Sequence, residues 1–261
     1  MATVTQHAPG TFCWPELATS DQPRAKEFYT RLFGWGSDDS PIGEGQVYTM
    51  LKLGNRTVGA LFQMGKEQAG SAPHWSSYVA VTSADQAAGK AASLGGKIVM
   101  APFDVMDVGR MAVIQDPQGA MVAVWEAKKH FGAGVLNEPG ALTWTELLTT
   151  DPSSAARFYT ALFGWTTESM PMGPTTYTMF KRGEKSAGGM MAIAAEMGPV
   201  LPHWLGYFAV GDCDESVAKA IMLGAEVAVS PTDVPGVGRF AVLHDPQGAR
   251  FAIVGQPKPE S

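Results

Sequence analysis

The stretch Ala141–Trp165, ALTWTELLTTDPSSAARFYTALFGW, repeats Thr11–Trp35, TFCWPELATSDQPRAKEFYTRLFGW, with 13 identities in 25 positions. Average composition would give about one or two. The offset of 130 residues slips to 129 and runs on: Tyr48 with Tyr177, His74-Trp75 with His203-Trp204, Tyr78 with Tyr207, and Gly109-Arg110 with Gly238-Arg239. The DPQGA of Asp116–Ala120 returns at Asp245–Ala249. The 261-residue chain is therefore two homologous halves, predicted at 8–129 and 141–257, with the Gly-rich, aperiodic segment 130–140 as linker.

Within the repeat, local chemistry predicts the elements. Phe12–Thr19 reads as a strand, after which Asp21 caps a helix carrying Ala25, Phe28, Tyr29, Leu32 and Phe33 on one stripe. Asp151-Pro152 starts the matching helix with a cap and a proline at its first position, and Gly34 and Gly164 stop the two. Three short strands follow, and the strand–helix–three-strand unit then begins again near Trp75 and Trp204. Asp116-Pro-Gln-Gly suits a type I turn before the last strand. Each half is thus βαβββ twice.

Composition removes several classes of function. Hydrophobic residues make up 45% and charged ones 17% of the chain, and the net charge is −6. No stretch approaches the length of a membrane span, and the first residues carry neither a basic nor an apolar leader region, so a cytoplasmic protein is expected. The absence of a Lys/Arg cluster argues against nucleic acid as a partner. Cys13 and Cys213 form neither a disulfide framework nor a metal-binding pair.

Asp21…Phe28-Tyr29…Phe33-Gly34-Trp35, its copy at Asp151…Trp165, and the D-P-x-G before each terminal strand resemble the vicinal oxygen chelate superfamily. That is the group of glyoxalase I, bleomycin-resistance proteins and extradiol dioxygenases. The added W-x-E-L, P-H-W and V-G-R motifs resemble its tandem, two-domain hydroxylase or glyoxalase-like members from actinobacteria. The resemblance implies an α+β fold of two tandem glyoxalase-like domains, whose four βαβββ modules form cupped mixed sheets.

Metal-dependent members hold a divalent ion with His and Glu side chains from the first and last strands of each module. The resemblance places those ligands at Trp14, Ser76 and Ala123 in the first half and at Trp144, Leu205 and Ala252 in the second. None of these side chains substitutes for imidazole or carboxylate, so neither a metal nor another cofactor is expected.

Strand alternation instead puts Trp14 and Glu16, and Trp144 and Glu146, on the cupped face, joined by His74 and Tyr78 or by His203 and Tyr207. A carboxylate on an apolar strand face and a histidine are groups that can move protons near neutrality. Glu16 and Glu146 are the candidate bases, with His74 and His203 as catalytic partners. Trp14, Trp144, Tyr78 and Tyr207 are the candidate substrate-binding residues. Arg110 and Arg239 join them as binders of an acidic or quinone-like oxygen, unless they pair with Asp107 or Asp233. Glu16 would face His203 if cups formed between halves, and His74 if each half closed its own.

The expected function is metal-independent proton-transfer or hydroxylation-type chemistry on a flat, polyketide-like or dicarbonyl-like small molecule. A non-catalytic binder of the resistance type is the alternative, followed by a metal-dependent glyoxalase or dioxygenase. The expected partner is that small molecule, without nucleic acid or membrane, in a monomer or homodimer.

Overall fold

A computed structural model describes residues 4–43, 45–68, 70–172 and 175–255. The first half runs β1 (Phe12–Thr19), α1 (Gln22–Phe33), β2 (Gly36–Gly43), β3 (Gln46–Leu53), β4 (Arg56–Gln63), β5 (His74–Ala80), α2 (Ala84–Ser93), β6 (Lys97–Val105), β7 (Gly109–Gln115) and β8 (Met121–Ala127). The second half repeats it with β9 (Leu142–Thr149), α3 (Pro152–Phe163), β10 (Thr166–Met172), β11 (Thr175–Arg182), β12 (Lys185–Ala192), β13 (His203–Val210), α4 (Cys213–Met222), β14 (Glu226–Val234), β15 (Gly238–His244) and β16 (Arg250–Gly255). The helix signals act as the sequence predicts. Asp21 accepts from Arg24 N and Asp151 from Ser154 N, while Gly34 and Gly164 end their helices at φ 71° and 72°.

Each half forms one eight-stranded mixed sheet, in the order β2-β3-β4-β1-β5-β8-β7-β6 and, equivalently, β10-β11-β12-β9-β13-β16-β15-β14. The two modules of a half meet where β1 runs antiparallel to β5, with Glu16 opposite Ser76 and Ala18 opposite His74. In the second half Glu146 lies opposite Leu205 and Leu148 opposite His203. Each sheet therefore closes its own cup, and Glu16 belongs with His74.

The helices lie on the other face, and there the halves are interleaved. One core joins Phe28, Tyr29 and Leu32 of α1 to Phe208, Val217, Phe251 and Ile253 of the second half. Its counterpart joins Ala88 of α2, Ile114 and Val124 to Phe158, Tyr159, Leu162 and Trp204. Each fully buried aromatic in these cores is worth about 1.5–3 kcal/mol of burial. The Tyr of the repeated Phe-Tyr pair is the lock. Tyr29 Oη donates to Asp245 (2.9 Å) and accepts from Trp75 Nε1 (2.9 Å), while Tyr159 Oη donates to Asp116 (3.0 Å) and accepts from Trp204 Nε1 (2.9 Å). The helix motif of each half thus ends on the DPQG turn of the other.

Two further ties use the repeated Gly-Trp. Trp165 Nε1 donates to Gly10 O (2.8 Å) and Trp35 Nε1 to Gly140 O (2.7 Å), at glycines with φ 83° and 84°. Segment 130–140 has no helix or strand but is strapped down: Ala133 N donates to Cys13 O (2.8 Å), and Arg56 grips Glu138 through two nitrogens (3.0 and 2.8 Å). Cys13, which alternation places with Leu17 on the helix side, instead joins the cup cluster, because the register shifts between Phe12 and Trp14. Among the described residues no helix is long and apolar enough to cross a membrane.

Candidate functional site

The first cup is built on the face of β1 that alternation exposes to it. Trp14 (5% exposed), Tyr78, Met111, Ala123 and Trp125 form its apolar lining, with Tyr48 and Met50 packed against them. Glu16 is the one residue of β1 that is not fully buried. Its carboxylate sits between two phenols: Tyr48 Oη donates to Oε1 (2.6 Å) and Tyr78 Oη to Oε2 (2.6 Å), and Trp14 Nε1 donates onward to Tyr48 Oη (3.4 Å). Burial pushes the Glu16 carboxyl above the usual carboxylate range, opposed by the two tyrosine hydroxyls and by nearby His74. Burial first, then the Glu16 charge, lifts both phenols well above their ordinary value, so both keep their protons and donate. His74 stands at the rim, its Nδ1 2.9 Å from Ala72 O.

The second cup repeats the set with changed accessibility. Glu146 is 6% exposed and accepts from Tyr207 Oη (3.0 Å) and from Tyr177, whose hydroxyl takes the Trp144 Nε1 hydrogen (2.8 Å). Leu205, Val242 and Ala252 floor it, with Trp144, Phe240 and Val254 alongside. Gly189 stands where the first half has Ala60, and a Cβ there would overlap the Tyr177 hydroxyl, so Tyr177 settles directly over the strand. His203 Nδ1 lies 2.7 Å from Leu201 O.

Burial raises the Glu146 carboxyl against the pull of both tyrosines. The folded state then holds this proton more tightly than the unfolded chain, so the contribution of Glu146 to stability is full at acid pH and is lost as pH rises through the raised value. Glu146→Gln removes that loss. The melting temperature of the variant relative to the unsubstituted protein is expected to climb from about pH 4 to about pH 8. Paired thermal melts across that range check it, and a level or falling difference contradicts the burial.

Arg110 and Arg239 are not cup residues. Met111 occupies the cup side of β7 at 3.8 Å from Tyr78 Oη, so Arg110 projects to the helix side. There it grips Asp85 of α2 (2.6 and 2.9 Å) and approaches Asp104 (3.5 Å). Arg239 pairs likewise with Asp214 (3.0 and 3.1 Å) and Asp233 (2.8 Å). The substrate-binding assignment of these two is corrected to helix-to-strand ion pairing. Asp233 is one of the alternatives the sequence admits, whereas Asp107 is replaced by Asp85 and Asp104.

Four participants escape the strand reading. Tyr48 and Tyr177 come from β3 and β11, which β4 and β12 separate from the Glu-bearing strands, and their matched positions in the repeat were the available signal. His130 comes from the connecting segment and meets the Trp14 ring edge-on at 4.7 Å, with no pattern to announce it. Arg250 enters the second cup from β16, where the first half has Met121.

Residues 11–124 match the Glyoxalase/Bleomycin resistance protein/Dioxygenase superfamily, and residues 144–254 match the Glyoxalase-like domain. "Putative glyoxylase CFP32" of Mycobacterium tuberculosis is 44% identical over 264 residues, covering 100% of both chains. The anthracycline biosynthesis protein DnrV of Streptomyces peucetius is 35% identical over 263 residues, covering 96% of this chain and 95% of its own. Among solved structures, the Mn(II)-bound glyoxalase from Novosphingobium aromaticivorans superposes with a TM-score of 0.66 at 13% identity, over 96% of this chain and 83% of that one. The 2,3-dioxygenase LapB from Pseudomonas sp. KL28 gives 0.65 at 12% identity, over 96% and 93%. At such identities these two speak for the fold alone.

Proposed function

Because this chain belongs to the glyoxalase/bleomycin resistance/dioxygenase superfamily, as two glyoxalase-like domains in tandem, we propose that its first cup takes a flat aromatic ketone or polyketide and moves a proton on it with Glu16, without a metal. The observation that carries this reading is the Glu16 carboxylate, deep among aromatic rings yet partly open, with one phenol on each oxygen. The name of DnrV, an anthracycline biosynthesis protein, supports the substrate class.

The residues present do not fit a divalent ion. The family resemblance puts Trp14, Ser76 and Ala123 at the ligand positions of metal-dependent members, and among the described residues no group of three or more His, Cys, Asp and Glu is placed to hold one. The chemistry then falls to the side chains. A C–H beside the ketone gives its proton to Glu16, and the C–H electron pair moves into the carbonyl as an enolate. Negative charge thereby leaves the carboxylate and appears on the substrate oxygen. Tyr48 and Tyr78, now facing a neutral acid, turn their hydrogens to the enolate, and Glu16 then protonates a different carbon to complete an isomerisation, or trades its proton with solvent and protonates the same carbon to complete an exchange.

The test uses 2-tetralone in D2O, following exchange of its acidic hydrogens by NMR, and a hydroxyanthraquinone whose binding is followed by tryptophan quenching. The protein is expected to accelerate exchange and Glu16→Gln to lose about 10²–10⁴ of the acceleration, with anthraquinone binding unchanged. No acceleration by the unsubstituted protein overturns the proton-transfer reading.

A non-catalytic binding role is favoured by one specific observation, the closure of Glu146 beneath its two tyrosines. Anthraquinone binding without exchange in any variant is the outcome that selects it.

A further inference from the structure

The two cups differ most at the open end of the last strand. Along β16, Ala252 and Val254 face the second cup, while Phe251 and Ile253 face the interleaved core, so Arg250 falls on the cup side. It acts electrostatically on Tyr207 and His203, both residues of this cup. Its matched residue in the first half is Met121, 47% exposed and uncharged.

Two polar atoms here lack hydrogen-bond partners among the described residues although both are shielded from water: Arg250 Nε and His203 Nε2. Buried groups of this kind are ordinarily paired, so the pair reads as an interaction held for something else. Their characters are opposite. Arg250 Nε is a charged donor. Leu201 O can only accept, so the His203 Nδ1 carries the ring hydrogen, and the neutral ring presents Nε2 as an acceptor. Burial, opposed by the Leu201 bond and aided by Arg250, keeps His203 neutral by lowering its pKa.

From this geometry we propose that the second cup is a recognition site for a planar aromatic ligand bearing a carboxylate or carbonyl oxygen beside a hydroxyl, the oxygen held by Arg250 and the hydroxyl by His203. The aromatic plane would lie against Trp144 and Phe240, which are partly buried along the same cup. Engagement requires the flexible Arg250 arm to turn outward so that both its own Nε and the shielded His203 Nε2 are bared to the ligand. The first cup, with Met121 and Ser76 in the places of Arg250 and Leu205, offers no such pair of contacts. The inference goes beyond the proposed function by assigning a second ligand site to the other half. It is independent of whether Glu16 moves a proton.

Calorimetric titration of the full chain with 3-hydroxy-2-naphthoate tests it, with 2-naphthoate and 3-methoxy-2-naphthoate as the ligands lacking the hydroxyl hydrogen. One hydroxynaphthoate is expected per chain, bound at least about tenfold more tightly than either comparison ligand. Arg250→Met, which installs the first-half residue, is expected to weaken the acid about tenfold or more. His203→Phe is expected to erase the preference for the hydroxyl, and His203→Gln, which restores an acceptor oxygen, to recover part of it. Absence of saturable binding, equal affinity for the three acids, or affinity untouched by Arg250→Met overturns the proposal. Failure here with Glu16-dependent exchange intact leaves the proton-transfer reading standing, and the reverse pattern separates them equally well. Thermal melts of each variant show that a lost affinity is not a lost fold.

Discussion

Replacing Trp204 with alanine is expected to destabilise the protein by about 3–5 kcal/mol, the usual cost of emptying a buried aromatic site. Trp204 is 4% exposed, and its ring packs against Phe12 at 5.0 Å, Tyr159 at 5.1 Å and Phe180 at 6.0 Å. Phe12 comes from the first half and the others from the second, so the cavity opens in the seam that joins the halves. The indole also supplies the hydrogen that Tyr159 Oη accepts while it donates to Asp116. For a chain of this length the loss corresponds to a fall in Tm of roughly 10 °C. Denaturant unfolding of the variant checks it, and a cost below about 1.5 kcal/mol would show that the seam collapses to fill the space.

Asp116→Ala is expected to cost a similar amount, about 3–5 kcal/mol, for an electrostatic reason. Asp116 is 3% exposed. Its Oδ1 accepts from Gln118 N, Gly119 N and Ala120 N at 2.9, 2.8 and 2.9 Å, and its Oδ2 from Tyr159 of the other half. Alanine strands the buried Ala120 N–H and the Tyr159 hydroxyl together, whereas Asp116→Asn keeps an acceptor for the turn and should lose only about 1–2 kcal/mol. Since Trp204 and Asp116 act on the same hydroxyl, the double variant should lose less than the sum of the singles. Strict additivity in a double-mutant cycle would contradict the Trp204–Tyr159–Asp116 chain.

These two effects explain why the repeat looks as it does. Phe-Tyr and D-P-x-G are the most legible motifs in the sequence, and both serve the seam. Tyr29 reaches Asp245 across 216 positions and Tyr159 reaches Asp116 across 43. A linear pattern shows that both residues recur but not that each meets the other's copy.

What the sequence by itself determined was everything governed by neighbours along the chain. Asp21 and Asp151 cap their helices, Gly34 and Gly164 end them, and alternation along β1 puts Trp14 and Glu16 on one face. These follow from dihedral preference and side-chain periodicity, which act over a few residues. The exception, Cys13, fell at a register shift that alternation cannot foresee.

Only the tertiary structure decided which charges meet. Arg110 had acidic residues on several elements within reach, and the fold chose Asp85 and Asp104, turning a candidate substrate clamp into a brace. Glu16 found its partners on β3 and β5, because strand order sets β5 directly beside β1 and leaves only β4 between β1 and β3 for Tyr48 to cross. Arg250 was readable as a difference between the copies, but its place in the second cup beside His203 depends on β16 lying next to β13. Local preference settles what each element is. The hydrogen bonds and ion pairs of a site depend on which elements the sheet sets side by side.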